Sequence, residues 1–290
     1  MSASSPISWC LVVPVKRLAL AKTRLAPLAG EHREELALAF ARDTVAAALA
    51  CPRVAAVVVV TDDPRAAPVL ATLAGARVVP DKPDAGLNPA LLHGAEQATL
   101  AHPGCGLGAL SADLPALRPG ELGIALDHAR YHPLAFVPDF AGTGTTLLTA
   151  RPGAPFEPAF GEGSRARHRD AGGHELDLAT IPSVRRDVDT ETDLWEAVRL
   201  GVGAGTSAVI EALRPASLAG VQASVRTFSP ETRSGTVLLD DGVELPFDSA
   251  AFDASGLRRL RFGQRVRIRT EGEGAAARVT FLTIATLPDL

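Results

Sequence analysis

The sequence has few cysteines and no long apolar run. Its three cysteines, Cys10, Cys51 and Cys105, are odd in number and far apart, and they lie outside any CxxC or Cys/His spacing. This pattern excludes a disulfide framework and a zinc site of that type, so we expect reduced, packed thiols. Apolar runs such as Val54–Val60 are far shorter than the ~18 residues of a membrane span, so no membrane association is expected.

Excess positive charge is also missing. The 29 Lys and Arg residues against 33 Asp and Glu residues give a net charge of −4, which excludes a global field for nucleic acid or anionic membranes. Only three of the basic residues are lysines, and we expect Lys16, Lys22 and Lys82 to mark places that need a compact ammonium group.

The apolar segment 9–15 lacks preceding basic residues. It is therefore typical of a strand rather than a signal peptide, and a cytoplasmic protein is expected.

Strand and helix signals alternate up to about residue 213. The alternation predicts an α/β fold whose central strands are covered on both faces. The predicted strands are 9–15, 54–61, 77–79, 108–113, 134–138, 145–149 and 185–188. The predicted helices are 31–50, 65–74, 89–101, 121–129, 193–200 and 207–213.

The pattern changes after this region. Residues 214–219 contain Pro215 and are typical of a linker. Short strands separated by turn residues follow, and they predict a small all-β barrel over residues 220–290. The predicted strands are 221–228, 234–239, 243–247, 265–270 and 277–282. The sequence therefore predicts two domains, 1–213 and 220–290.

Ligands of open α/β sheets bind beyond the carboxyl ends of the strands. The segment after the first predicted strand, residues 16–24 (the basic loop), holds four cations in nine residues and no carboxylate: Lys16, Arg17, Lys22 and Arg24. Such a loop can neutralise a nucleoside triphosphate, or it can be a solvated basic turn. It contains no GxxxxGK[ST] or GxGxxG fingerprint.

A turn-rich loop, residues 81–88, opens the predicted helix 89–101. Asn88 could cap that helix, with Pro89 at its first position. The loop could also hold a base and a ribose, and the spacing fits both interpretations.

Carboxylates follow two later predicted strands. Asp113 ends one strand. Asp187 lies in the predicted strand 185–188 and Asp189 follows it, and because side chains alternate along a strand the two acids share one face. Mg²⁺ prefers one or two carboxylates together with phosphate oxygens and water. We therefore expect these three acids to hold Mg²⁺, while Thr190 and Asp193 form a capping box for the next helix.

Two glycine-rich segments, residues 139–146 and 160–168 (the acid loops), combine free backbone N–H groups with Thr and Ser hydroxyls. They could form a pocket for a small phosphorylated acid, or they could be two flexible loops. His168, within the second segment, is more often a packed histidine than a substrate contact.

Taken in order, these motifs resemble the CofC/FbiD family, the guanylyltransferases of coenzyme F420 biosynthesis. The resemblance covers residues 8–205. It rests on VPVKRLALAKTRL, TDD, DAGLN, LSADLP, GTGTT, FGEGS with His168, and DVDT. It implies a nucleotidyltransferase-type three-layer α/β/α domain that joins GMP from GTP to a three-carbon phosphorylated acid and releases pyrophosphate.

The resemblance also implies roles for individual residues. The acid would be bound by Thr145, Gly161 and Ser164, with His168 beside them. Mg²⁺ would be held by Asp113, Asp187 and Asp189. The triphosphate would be held by Lys16, Lys22 and Arg24, and the nucleoside by Gly86, Asn88 and Lys82.

The tail resembles a cold-shock-type OB barrel. It departs from that pattern because residues 234–239 carry no aromatic side chain, and because nine Arg balance nine Asp and Glu between residues 220 and 290. Barrels that bind single strands need stacking aromatics and a positive groove. Nucleic acid is therefore not the expected partner, and a packing or interaction role is favoured.

The expected partners are GTP and a small phosphorylated carboxylic acid, with a homodimer left open. The Arg-rich composition suggests a high-GC actinobacterium, and the members of that group that the chain resembles favour phosphoenolpyruvate. The alternatives are 2-phospho-L-lactate or 3-phosphoglycerate as acceptor, a related transferase acting on a sugar phosphate, and a nucleotide- or RNA-associated protein that acts through the barrel.

Overall fold

The computed structural model describes residues 7–82, 84–213, 221–240, 242–255, 257, 259–271 and 277–284. The chain divides into two compact units, one within residues 1–211 and one within 212–290. The predicted linker 214–219 lies outside the described residues. Within the described part, no helix is both long and apolar enough to cross a bilayer.

The first unit contains a seven-stranded mixed sheet with the order β3-β2-β1-β4-β6-β5-β7. Strands β1 to β4 are parallel, β6 is antiparallel to both of its neighbours, and β5 and β7 are parallel to each other. The strands are β1 (Trp9–Pro14), β2 (Val54–Val60), β3 (Ala76–Val79), β4 (Gly106–Leu110), β5 (Leu134–Pro138), β6 (Thr145–Ala150) and β7 (His174–Glu175).

Nine helices of the described part belong to this unit or end at its boundary. They are α1 (Ala26–Ala29), α2 (Arg33–Leu49), α3 (Ala66–Ala71), α4 (Leu87–Ala101), α5 (Pro119–Ala129), α6 (Ser164–Asp170), α7 (Pro182–Arg185), α8 (Glu191–Leu200) and α9 (Ala204–Leu213). Short 3₁₀ turns cover Leu18–Leu20, Thr23–Leu25 and Gly30–His32. The predicted capping box of α8 is confirmed, since Thr190 and Asp193 exchange side-chain and backbone hydrogen bonds.

Alternating residues of the central strand pack into two apolar layers. Leu11 and Val13 belong to the cluster formed with α2 and α5, whereas Cys10 and Val12 belong to the cluster formed with α4. Helix α4 approaches closely because it carries Gly94, where a Cβ atom would lie 2.4 Å from Val12 Cγ1. These layers confirm the predicted three-layer α/β/α architecture. The three cysteines are free thiols, as expected.

The predicted strand 185–188 is wrong. Pro182 begins the short helix α7, and residues 186–189 form an irregular segment across the ends of the sheet strands. The Val188 N–H donates to the Asp113 carbonyl at 3.0 Å, but the segment forms no strand ladder. Val188 is buried and Asp189 is exposed, so the in–out alternation persists without a strand. Helix α6 and strand β7 are further elements that the sequence pattern did not predict.

The second unit is a closed five-stranded barrel with the order β10-β12-β11-β8-β9. Its elements are β8 (Val221–Ser229), β9 (Ser234–Leu239), β10 (Glu244–Phe247), α10 (Ser249–Ala254), β11 (Arg265–Glu271) and β12 (Arg278–Ile284). Strands β10 and β12 are parallel and the other pairs are antiparallel. This arrangement confirms the expected small OB-like barrel. Helix α10, whose N-cap is Asp248, was not predicted.

Candidate active site

The segments singled out from the sequence meet at one edge of the sheet. Strands β1, β4 and β5 all run toward this edge, because β6 lies antiparallel between β4 and β5. The basic loop follows β1, Asp113 follows β4, and the first acid loop joins β5 to β6. A single cleft at this edge can therefore receive side chains from all three segments.

The basic loop is fixed at its base by Asp63. The Leu18 N–H donates to Asp63 Oδ2 at 2.8 Å, and the Arg65 and Ala66 N–H groups donate to Oδ1 at 2.9 and 2.8 Å. Burial opposes the charge of Asp63, but these backbone donors hold its pKa below the usual range. Asp63 thus ties the start of the basic loop to the turn after β2.

Arg33 fixes the other side of the same loop. Its guanidinium donates to the carbonyls of Leu18 at 3.1 Å, Ala19 at 3.0 Å and Ala21. Neither Arg33 nor Asp63 was assigned a role from the sequence. TDD, which includes Asp63, was a motif of the family resemblance, whereas nothing in the sequence pattern singled out Arg33.

Lys22 lies between two of the predicted metal-binding carboxylates. Its Nζ donates to Asp189 Oδ1 at 2.8 Å and also to Asp113 Oδ2. Burial disfavours the ammonium, but the two carboxylates outweigh burial and raise the pKa of Lys22. Lys22 also adopts the left-handed conformation, with φ of 52°. The backbone at Lys22 is therefore in a conformation that is uncommon for residues other than glycine, at the position where its ammonium contacts the carboxylates.

Asp113 is positioned by backbone contacts on either side of it. The buried Thr44 hydroxyl of α2 accepts from the Leu114 N–H at 3.0 Å, and its proton is shared between the Phe40 carbonyl at 2.8 Å and the Ala112 carbonyl at 3.2 Å. The Asp113 carbonyl accepts from Val188. One helix and the irregular segment 186–189 thus hold the turn that carries this carboxylate.

Asp187 completes the carboxylate set. Burial, together with the nearby charges of Asp113 and Asp189, raises the pKa of Asp187 to about 7. Asp189 behaves in the opposite way, because Lys22 lowers its pKa below the usual range against the effect of burial. Lys22 therefore offsets the negative charge of Asp189, whereas no cation offsets that of Asp187 among the interactions described.

Within the described residues, no group of three or more His, Cys, Asp or Glu side chains is arranged to hold a metal ion. Lys22 instead provides the positive charge between Asp113 and Asp189. The donor set still fits Mg²⁺ in chemical type, because Mg²⁺ takes one or two carboxylates and fills its other positions with phosphate oxygens and water.

Two cavities adjoin at Lys16. One, of about 320 Å³, is lined by Lys16, Lys22, Asp113 and Asp189, with Leu91 and Phe160 on its apolar side. The other, of about 330 Å³, is lined by Lys16, Asp62, Asp81 and Gly86 among others. Arg24 and Lys82 are exposed and neither lines these two cavities.

Asn88 does not cap α4. The helix begins at Leu87 after Gly86, whose φ of 103° is a conformation that favours glycine. The Asn88 amide instead bonds both backbone groups of Phe160, accepting from its N–H at 2.8 Å and donating to its carbonyl at 3.2 Å. The capping interpretation is therefore wrong. A nucleoside contact by Asn88 stays a prediction.

The acid loops join through a buried histidine. The Ala159 N–H donates to His168 Nε2 at 3.0 Å, so Nδ1 carries the proton and donates to Thr145 Oγ1 at 2.9 Å. Burial lowers the pKa of His168 to about 4, which keeps the ring neutral at pH 7. His168 thus orients Thr145 and adds no charge.

The remaining predicted acid contacts lie at the start of α6. Ser164 is its first residue, and the Ser164 N–H donates to the Gly161 carbonyl at 3.0 Å. Gly161 has a φ of 117°, so the backbone there requires glycine. The Arg165 N–H donates to the Thr143 carbonyl at 3.3 Å, which brings the start of α6 against the first acid loop.

The chain is similar in sequence to known proteins over its first unit. Residues 9–218 match the family described as guanylyl transferase CofC like. A protein of Thermomonospora curvata is 57% identical over 223 residues, covering 77% of this chain and 97% of the relative. A protein of Streptomyces coelicolor is 59% identical over 204 residues, covering 70% and 96%. Both relatives are named phosphoenolpyruvate guanylyltransferase.

Among solved structures, a putative nucleotide-diphospho-sugar transferase from Desulfovibrio desulfuricans G20 superposes with a TM-score of 0.53 at 19% identity. The match covers 71% of this chain and 96% of that structure. At this level of identity the likeness shows the fold alone, which is that of the nucleotidyltransferase-type domain.

Proposed function

The chain belongs to the CofC-like guanylyl transferase family, and we propose that it transfers GMP from GTP to phosphoenolpyruvate. The products are enolpyruvyl-diphospho-guanosine and pyrophosphate, as expected for a guanylyltransferase of coenzyme F420 biosynthesis. The contact of Lys22 with Asp113 and Asp189 carries the proposal, because it joins the basic loop to the carboxylates beside a cavity that all three residues line.

The reaction needs alignment and charge neutralisation more than proton transfer. A phosphate oxygen of the acid attacks the α-phosphorus of GTP, and the bond from that phosphorus to the β-phosphate bridging oxygen breaks as pyrophosphate leaves. The attacking group is already an anion at neutral pH, so no general base or covalent nucleophile is required. Catalysis then depends on positive charge placed around the phosphates.

The basic loop supplies part of that charge. Lys16 lies between the two cavities, and Lys22 and Arg24 follow it in the same loop. We assign the triphosphate to these cations and the nucleoside to the cavity that Gly86 lines, with Asn88 and Lys82 nearby in the same segment. Asp63 and Arg33 keep the loop curled, so its cations are positioned before the nucleotide binds.

We assign Mg²⁺ to Asp113, Asp187 and Asp189. An ion held there would supply positive charge to phosphate oxygens. Lys22, which Asp113 and Asp189 hold beside the same cavity, binds the triphosphate. Thr145, Gly161 and Ser164 bind the acid through hydroxyl and backbone donors, and His168 keeps Thr145 in place.

Pyrophosphate release tests the proposal. The full chain is incubated with Mg²⁺, each of the four nucleoside triphosphates in turn, and phosphoenolpyruvate, 2-phospho-L-lactate or 3-phosphoglycerate. We expect release to require both substrates and to be fastest with GTP and phosphoenolpyruvate. Release that is equally fast with another nucleotide, or that needs no acid, would contradict the proposal.

A further inference from the structure

Arg186 is a buried cation that has no anionic partner among the described residues. It is 9% exposed, and its Nε atom is buried with no hydrogen-bond partner. Among the described residues, Arg186 forms no ion pair, and its guanidinium stacks on an aromatic ring. Arginine is almost never this buried unless it is paired, because an uncompensated buried charge costs free energy.

The ring belongs to the first acid loop. Arg186 Cζ lies 3.5 Å from the centroid of the Phe140 ring, and Phe140 is 60% exposed. The Phe140 N–H also donates to the Arg185 carbonyl at 2.8 Å, so the first acid loop contacts both the end of α7 and Arg186. Stacking uses the face of a guanidinium and leaves its N–H edge available for a planar anion.

The other cations beside the acid loops are already engaged. Arg165 donates to both carboxylate oxygens of Glu175, at 3.1 and 2.6 Å, and Arg169 bonds the same carboxylate. Arg167 donates to the carbonyls of Ala159 and Glu162. His168 is neutral at pH 7.

The acid acceptor carries a phosphate and a carboxylate, and the two groups need different binding partners. Its phosphate attacks GTP and so must lie near Asp113, Asp187 and Asp189, which leaves the carboxylate to be bound by other groups. Arg186 immediately precedes Asp187 in the chain and stacks on the loop that leads to Thr145. It therefore connects the segment that carries Asp187 with the first acid loop.

We propose that Arg186 binds the carboxylate of the acid acceptor through its guanidinium edge. The inference rests on the proposed function, because it needs an acceptor that carries a carboxylate as well as a phosphate. It adds a charged, specificity-determining contact to a pocket otherwise built from hydroxyl and backbone donors.

The test compares two acceptors, phosphoenolpyruvate and vinyl phosphate, which keeps the enol phosphate and lacks the carboxylate. For Arg186→Met we expect kcat/KM with phosphoenolpyruvate to fall about 10- to 100-fold, the scale of a lost charge-assisted hydrogen-bonded pair. The KM for GTP and the rate with vinyl phosphate stay unchanged. Arg186→Lys, which keeps the charge and loses the planar fork, shows a smaller loss in the same direction.

Arg169→Gln is the matched control, because it removes a neighbouring guanidinium that Glu175 already neutralises. We expect it to leave the preference for phosphoenolpyruvate unchanged. Equal losses with both acceptors in Arg186→Met and Arg186→Lys, or no loss in either, would overturn the assignment of Arg186. Failure of the unmodified protein to transfer GMP to phosphoenolpyruvate would instead contradict the proposed function.

Discussion

Lys22 donates through Nζ to Asp189 Oδ1 at 2.8 Å, across 167 positions of sequence. The contact joins the loop after the first strand to the segment that precedes α8, and Asp113 receives a second hydrogen bond from the same ammonium. One cation is thus shared by two carboxylates from different parts of the fold. The arrangement places the basic loop and the carboxylates in one site before any substrate is bound.

Asp189→Asn tests the carboxylate set. The substitution removes one negative charge and keeps the shape, so we expect turnover to fall about 10²-fold or more, the scale of a lost electrostatic element. Folding is retained, because the exposed Asp189 side chain is not part of the core. Steady-state rates are measured over a range of Mg²⁺ concentrations.

The control for this variant is Asp127→Asn, which removes a carboxylate paired with Arg53 outside the site. We expect near-normal turnover from it. If Asp189→Asn itself kept near-normal turnover at every Mg²⁺ concentration, Asp189 would have to be removed from the site.

Asp63→Asn tests the fixation of the basic loop. An amide has one acceptor oxygen, so it cannot serve Leu18 on one side and Arg65 with Ala66 on the other. We expect the free energy of unfolding to fall by about 1–3 kcal/mol and the KM for GTP to rise severalfold. Chemical denaturation and initial rates measure the two effects.

Asp62→Asn is the control for stability alone, since Asp62 is exposed and accepts one backbone hydrogen bond, from Asp81, but also lines the nucleoside cavity. We expect it to be close to wild type in stability. A stable Asp63→Asn variant with an unchanged KM for GTP would show that the loop does not depend on this carboxylate.

Glu175→Gln tests the ion-pair cluster of α6 through pH. Hydrogen bonds from Arg165, with Arg169 adding to them and burial opposing, lower the pKa of Glu175 to about 2. The pKa of Glu175 is thus lower in the folded protein than in the unfolded chain. Its stabilisation is therefore fully present above the unfolded pKa of about 4.3 and is lost as pH falls through about 2.

We expect wild type to exceed Glu175→Gln in stability by the same amount at pH 6 and pH 5 and by less at pH 3. Urea unfolding at the three pH values measures the difference. A difference that does not shrink at pH 3 would show that Glu175 acts through packing and not through its charge.

Removal of the barrel tests its part in the reaction. Because the sheet of the first unit is complete before residue 212, we expect a chain that ends at residue 213 to fold and to retain guanylyl transfer. Circular dichroism and pyrophosphate release check the two properties. Insolubility or complete loss of activity would mean that the barrel completes the core or the site.

The sequence predicted which segments meet, because carboxyl ends of parallel strands converge at one edge of a sheet. Lys22, Asp113 and Asp189 were all identified in this way, and the structure brings them into contact. The shared face of Asp187 and Asp189 was predicted from a strand over 185–188, and that strand is absent. Buried Val188 still alternates with the two neighbouring acids in the irregular segment.

Long-range contacts could not be predicted from local patterns. The Asn88 amide bonds Phe160, 72 positions away, and Arg33 bonds carbonyls whose position depends on how the basic loop curls. Arg186 looked like one more arginine in a charged segment, and only its burial against Phe140 distinguishes it. Such features arise from packing between elements, which periodicity and spacing do not encode.

A competition between acceptors tests the proposed reaction most directly. The full chain is supplied with Mg²⁺, GTP and equal concentrations of phosphoenolpyruvate, 2-phospho-L-lactate and 3-phosphoglycerate, and the products are identified by mass spectrometry. We expect enolpyruvyl-diphospho-guanosine to dominate. A dominant phospholactate adduct would contradict the choice of acceptor, and the absence of any guanylylated acid would contradict guanylyl transfer itself.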